Sequence, residues 1–209
     1  MRRAALAFFL LISLGGVAAA QSVLYVKLGT FNPKDAKAGF IAGLTTGRQV
    51  DEKVDFGIGA DFFIKKYTQM TAVDSATSPG GTQTQTVQTD IEYLMYGLPI
   101  LLHLNIRFIP ESVVHPYAGI AGGYELVFSR EANYFTGNKD NRFYGGWGWQ
   151  LMVGGEYSLG SSSGLLLELF YNGATVKRSK GSNELGFPLH EELNFSGFGF
   201  RAGARLGGF

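Results

Sequence analysis

Residues 197–209 read GFGFRAGARLGGF. On an extended strand, Phe198, Phe200, Ala202, Ala204 and Leu206 share one face. Arg201 and Arg205 lie on the other face with Gly199, Gly203 and Gly207. A soluble sheet would turn the arginines to water and the apolar row to a core. A barrel crossing a membrane reverses the faces, so the apolar row meets lipid and the arginines enter the lumen.

The same period-two pattern recurs along the chain. In 54–65 (VDFGIGADFFIK), Val54, Phe56, Ile58, Ala60, Phe62 and Ile64 oppose Asp55, Gly57, Gly59, Asp61, Phe63 and Lys65. In 94–108 (LMYGLPILLHLNIRF), the apolar row from Leu94 to Phe108 opposes His103, Asn105 and Arg107. Segment 116–128 sets Ala118, Ile120, Tyr124, Leu126 and Phe128 against Glu125. In 147–159, Trp147, Trp149, Leu151, Val153, Tyr157 and Leu159 oppose Gln150, Glu156 and Ser158, and in 165–173 a leucine row opposes Glu168 and Asn172. Residues 22–31 place Leu24, Val26 and Leu28 opposite Tyr25 and Lys27, and 39–50 is apolar with ambiguous phase. With the C-terminal stretch there are eight strands, several longer than the usual globular strand of about five or six residues.

The connections alternate as well. Links at 49–53, 109–115 and 160–164 are short. At the other end lie a compact link at 32–38 and three long polar links near 67–90, 129–145 and 174–192. An up-and-down meander collects these at opposite ends, the asymmetry of outer-membrane barrels with short periplasmic turns and long outer loops.

The N-terminus, MRRAALAFFLLISLGGVAAAQ, has a charged start, an apolar stretch too short to span as a helix, and a small-residue cleavage site. It predicts a signal peptide over 1–20 and a mature barrel domain over 21–209. Loss of Arg2 and Arg3 from 18 Lys+Arg leaves 16 against 17 Asp+Glu, a formal charge of −1. That balance speaks against a nucleic-acid partner. With no cysteine there is no disulfide framework and no thiolate metal site.

Three features favour the membrane over a soluble lipocalin-like carrier. The apolar faces are nearly free of charge, while the opposite faces mix charge with glycine, as a narrow lumen requires. Aromatic residues gather near segment ends: Phe62 and Tyr67, Phe108, Tyr117 and Phe128, Trp147 and Trp149, Tyr157, Tyr171 and Phe198. The polar faces also balance, with Lys27, Lys65, Arg107, Arg201 and Arg205 against Asp55, Asp61, Glu125, Glu156 and Glu168. The expected fold is an all-β, eight-stranded antiparallel up-and-down transmembrane β-barrel, closed because hydrocarbon tolerates no open sheet edge.

The chain resembles the outer-membrane β-barrel-domain family of small OmpA-like and OmpX-like barrels. The resemblance spans essentially the whole mature chain. It is carried by the signal peptide, residues 54–59 after a tight turn, 98–102 (LPILL), 116–123 (PYAGIAGG), 148–150 with 154–157, and the terminal phenylalanine. It implies residence in the outer membrane of a Gram-negative bacterium after export through the periplasm. Insertion would follow by the assembly machinery that reads the last strand, with Phe209 as its signal. Phe209 shares its parity with the arginines, so the resemblance requires either a bulge at 207–208 or a ring at the periplasmic rim.

No catalytic constellation is legible. His103 lies on the lumen face among polar neighbours, without an identifiable nucleophile or orienting group, and reads as part of a hydrogen-bonded network. His115 sits at a short turn, and His190, in PLHEE, reads as part of a solvated loop with no metal site. No motif of lipid A deacylases or outer-membrane aspartyl-type proteases is present, so no enzyme, cofactor or metal is expected. Lys177, Arg178 and Lys180 could meet lipopolysaccharide phosphates beside outer-membrane lipid. The lumen network is Lys27, Asp55, Asp61, Lys65, His103, Arg107, Glu125, Glu156, Glu168, Arg201 and Arg205. Together these predict a monomer with a filled polar lumen and a structural or surface-interaction role through its outer loops. A narrow channel for small solutes or ions is the alternative, and a carrier or a lipid-modifying enzyme stands behind both.

Overall fold

The structure, a computed structural model, describes residues 22–77, 83–109, 112–133, 139–160, 162–182 and 188–207. The signal-peptide reading and Phe209 fall outside them. The strands are β1 (Ser22–Pro33), β2 (Gly39–Gln49), β3 (Val54–Thr77), β4 (Gln83–Arg107), β5 (Val114–Asn133), β6 (Lys139–Ser158), β7 (Ser163–Ser182), β8 (Pro188–Asn194) and β9 (Gly197–Gly207). Each strand from β1 to β7 pairs antiparallel with the next. β9 then pairs with both β7 and β1, which closes the sheet into a barrel.

Nine strands make eight staves. Thr175 faces Asn194 and Asn172 faces Gly197, so β8 and β9 hold one register against β7 on either side of Phe195 and Ser196. The interruption is stitched rather than open. Phe195 N donates to Ala174 O at 2.9 Å, and Ser196 Oγ accepts from Ala174 N at 3.0 Å. The β1–β2 turn also reaches across: Lys34 N donates to Ser196 O at 2.8 Å, and Asp35 Oδ2 accepts from Asn194 N at 2.7 Å.

Phase follows the alternation. Large apolar side chains such as Phe56, Ile58, Leu102, Leu104, Val153, Leu167 and Phe200 project outward and are exposed, while the charged rows are buried inside. In β2, the strand of ambiguous phase, Phe40 and Leu44 point outward and Ile41 and Thr45 inward. An uninterrupted apolar belt of this extent far exceeds the patches that soluble monomers expose. Closure satisfies the backbone without water, which completes the requirements for spanning hydrocarbon.

Aromatic neighbours mark the belt's edge on the side of the long hairpins. Tyr96 lies 5.8 Å from Phe62 and 6.4 Å from Phe128, between ring centroids. Tyr124 and Trp147 are 5.8 Å apart, and Tyr171 sits 5.6 Å from Trp149 and 4.8 Å from Phe198.

The long polar links differ from loops. Pairing runs out to Thr77↔Gln83, Ala132↔Lys139 and Ser182↔Pro188, so the staves continue beyond the belt as hairpins. Threonine-rich polar segments suit an extended ladder that pairs its own backbone and needs no core. At the opposite end the turns are tight: Asp51 Oδ1 accepts from Lys53 N at 2.7 Å and Val54 N at 2.8 Å. His115 braces two of these turns, with Nδ1 3.1 Å from Ile109 O and Nε2 2.9 Å from Ser158 Oγ.

The lumen as candidate functional site

Because every second residue points inward, the lumen is built from alternate positions of all eight staves, and three layers follow one another along the axis. Nearest the tight turns, Asp55 Oδ2 accepts from Tyr25 OH at 2.9 Å, and Asp55 Oδ1 accepts from Asn105 Nδ2 at 2.8 Å. Arg107 Nη2 donates to Tyr25 OH at 2.8 Å and lies 2.9 Å from Asp55 Oδ2 and 3.7 Å from Glu156 Oε2. Arg205 Nε donates to Glu156 Oε1 at 2.5 Å, and its Nη1 donates to Gly207 O.

The second layer centres on Glu168 and Arg201, which face each other across β7 and β9. Lys27 Nζ at 2.8 Å and Tyr117 OH at 2.9 Å donate to Glu168 Oε2. Arg201 Nε donates to Glu168 Oε1 at 2.8 Å, and Nη1 to Asp61 Oδ2 at 2.7 Å. Gln150 bridges Asp61 and Arg201, each at 3.4 Å. The Arg201 guanidinium also lies 4.1 Å from the centroid of Phe170. Between the ionic layers, a void of about 10 Å³, room for one water, is lined by Tyr25, Lys27, Asp55, Asn105, Arg107, Tyr117 and Glu156.

The third layer is apolar. Phe31 packs against Phe63, Phe170 and Phe195 with centroid separations of 5.5, 5.5 and 5.2 Å, and Phe63 lies 5.5 Å from Phe195. Met95, Val127, Tyr144 and Val176 extend this plug toward the hairpins. Gly97 gives it room, since a Cβ there would come within 2.6 Å of the Phe195 ring.

The charged residues expected to share the lumen divide as follows. Lys27, Asp55, Asp61, Arg107, Glu156, Glu168, Arg201 and Arg205 are buried and joined in the two ionic layers. Glu125 is fully buried but has no basic partner among the described residues. Its Oε2 accepts from Asn172 Nδ2 at 3.1 Å, and it fits because Gly148 has no side chain. Lys65 is half-buried nearer the hairpins and forms no ion pair among the described residues. His103 is buried beside Gly59 and Thr45, and its Nδ1 lacks a hydrogen-bond partner among the described residues. Tyr117 is in the lumen rather than in an interfacial girdle, because odd positions of β5 point inward. The aromatic plug and the neutral members Tyr25, Asn105, Tyr117, Gln150 and Asn172 complete a lumen that charge balance alone described incompletely. Their signal was the parity they share with the charges.

The proposed lipopolysaccharide contacts are engaged within the chain. Lys177 Nζ lies 2.6 Å from Glu192 Oε1, holding that carboxyl below its ordinary range, and Arg178 Nη2 lies 3.4 Å from Glu191 Oε2. The side chain of Lys180 is outside the described residues. Gly207 has φ 77°, a left-handed conformation that glycine adopts without strain, and Phe209 lies outside the described residues.

No protein-family model matches the sequence, and no curated protein matches it. Solved structures do. A major outer-membrane protein from Thermus thermophilus aligns with 15% identity over 91% of this chain and 100% of its own, at TM-score 0.57. Neisserial surface protein A aligns with 14% identity over 90% and 97%, at TM-score 0.50. The attachment invasion locus protein of Yersinia pestis, in complex with the heparin analogue sucrose octasulfate, aligns with 9% identity over 91% and 100%, at TM-score 0.50. The chain therefore has the fold of the small eight-stranded outer-membrane β-barrels, the OmpA-like and OmpX-like group that its sequence resembles.

Proposed function

We propose that the protein is a monomeric, non-catalytic outer-membrane barrel with a sealed lumen, acting as a structural or surface-interaction element through its outer hairpins. The observation that carries this reading is the lumen itself: two ionic layers and an aromatic plug fill it, and the void between the layers holds about one water. An ion crossing that path would have to displace buried ion pairs and part the phenylalanines. Closure also leaves no free strand edge in the belt for a second copy. Export would remove residues 1–20, which N-terminal sequencing of the envelope protein tests by finding Gln21 first.

The decisive experiment is recording from the refolded full barrel in planar bilayers, with a heat-modifiability gel on the same preparation to establish closure. A folded barrel with no conductance above lipid background is the expected result. Steady conductance from folded protein would overturn the sealed lumen in favour of a solute channel.

A further inference from the structure

The hairpin between β5 and β6 sorts charge across its two faces. Its strands carry the sequences Ser-Arg-Glu-Ala at 129–132 and Lys-Asp-Asn-Arg at 139–142, which look nearly neutral when read along the chain. In the ladder, Arg130 faces Asn141, Glu131 faces Asp140, and Ala132 faces Lys139. The pleat turns both acids to the inner side, where Arg142 holds them. Its Nε lies 2.8 Å from Asp140 Oδ2 and its Nη2 3.2 Å from Glu131 Oε2. Arg130 and Lys139 are left on the outer side, exposed, diagonal to one another at a spacing of about 7–8 Å.

Two observations say what this face meets. Directly beneath it on the same side is the cross-strand pair Phe128 and Phe143, exposed and part of the aromatic edge of the apolar belt. Arg130 and Lys139 therefore stand at headgroup depth. Among the described residues, two other outward-facing strand cations of this rim are already neutralised, Lys66 by Glu92 at 3.1 Å and Lys177 by Glu192 at 2.6 Å. Arg130 and Lys139 form no ion pair among the described residues. The nearest outward acid on the neighbouring strand, Glu92, is the one committed to Lys66.

We propose that Arg130 and Lys139, with the exposed Asn141 amide between them, bind the phosphorylated headgroup of an outer-leaflet membrane lipid. A guanidinium and an ammonium on one diagonal can share one phosphate, and charge-assisted contacts of this kind are among the stronger available at a surface. The acyl chains then lie against the phenylalanines below. The site rests on the barrel spanning a membrane and is independent of whether the lumen conducts.

The test uses the full barrel, refolded in neutral detergent, with bisphosphorylated lipid A as the probe and native mass spectrometry as the readout. R130Q/K139Q should weaken lipid A binding by about tenfold or more, and each single variant by part of that. R48Q, an exposed outward cation at the opposite rim, should leave it unchanged. Heat-modifiability in phosphatidylcholine confirms that every variant is closed, and the single variants carry the comparison should the double fold poorly. Undiminished binding by the folded variants overturns the site. So does an equal loss from R48Q, which would reduce the attraction to general charge. Closed variants that lose lipid A leave the barrel reading standing, whereas failure of the parent to close in lipid would count against that reading instead.

Discussion

Arg201 is the position where the buried network can be tested most sharply. It is fully buried and contacts two carboxylates, Asp61 at 2.7 Å and Glu168 at 2.5 Å, while stacking on Phe170. In R201M the apolar side chain keeps much of the packing and removes the charge. Glu168 retains Lys27 and Tyr117, but Asp61 keeps only the longer contact from Gln150 at 3.4 Å. Removing one partner of a buried pair costs about 3–5 kcal/mol, because the remaining charge stays desolvated. Loss of the stacking adds about 0.5–2 kcal/mol. The variant should thus lose a substantial fraction of a stability that is about 5–15 kcal/mol for ordinary domains. The assay is urea unfolding of the refolded barrel in micelles, scored by the heat-modifiable shift on gels. R201M/D61N removes the stranded acid and leaves Lys27 and Glu168 paired, so it should recover more than half the loss. The reasoning is refuted if R201M unfolds within about 1 kcal/mol of the parent, or if the double variant is no more stable than the single one.

Two further substitutions probe the other layers. Glu125→Gln should leave urea stability unchanged or raise it by about 1 kcal/mol, since the amide still meets Asn172 without burying a charge that no base faces; a clear loss would mean that Glu125 has a cationic partner. Phe195→Ala should cost about 3–5 kcal/mol by emptying the plug between Phe31 and Phe63, and should stay silent in bilayers, because the two ionic layers in series with the plug remain. Steady conductance from a folded F195A barrel would refute this and assign the seal to the aromatic plug instead of the ionic layers.

Much of the fold was legible because a two-sided strand has only one free choice, its phase, and the chain repeats that choice eight times. The row from Leu94 to Phe108 and the row from Phe198 to Leu206 each separate apolar from charged residues completely enough to place them. Where the separation blurs, as in β2, reading failed to assign a phase, and the register against β1 and β3 supplied it. The split of the last stave at Phe195 and Ser196 left no mark in the periodicity, because its register resumes unshifted. The hairpin extensions looked like loops, since a ladder outside lipid needs no apolar face to announce it.

The lumen was harder to read, because parity says which residues point inward but not at what depth they meet. Lys65 and Glu125 share the inward face with the network. Yet neither joins it, since depth along the barrel puts Lys65 nearer the hairpins and sets Glu125 against Asn172 instead of a base. The four phenylalanines come from β1, β3, β7 and the break before β9, separated widely in sequence, and only closure of the barrel brings their rings within 5.5 Å. The same holds for the basic outer face at Arg130 and Lys139, which neutral local composition conceals and the pleat exposes. The sequence by itself determined the staves, the face that all but β2 present to lipid and the medium the barrel was made for, because those depend on local alternation and on the cost of burying charge in hydrocarbon. Which charges pair, what fills the lumen and which described cations stay without an ion pair on the outer face were decided by tertiary structure alone, because they depend on register and closure between distant strands.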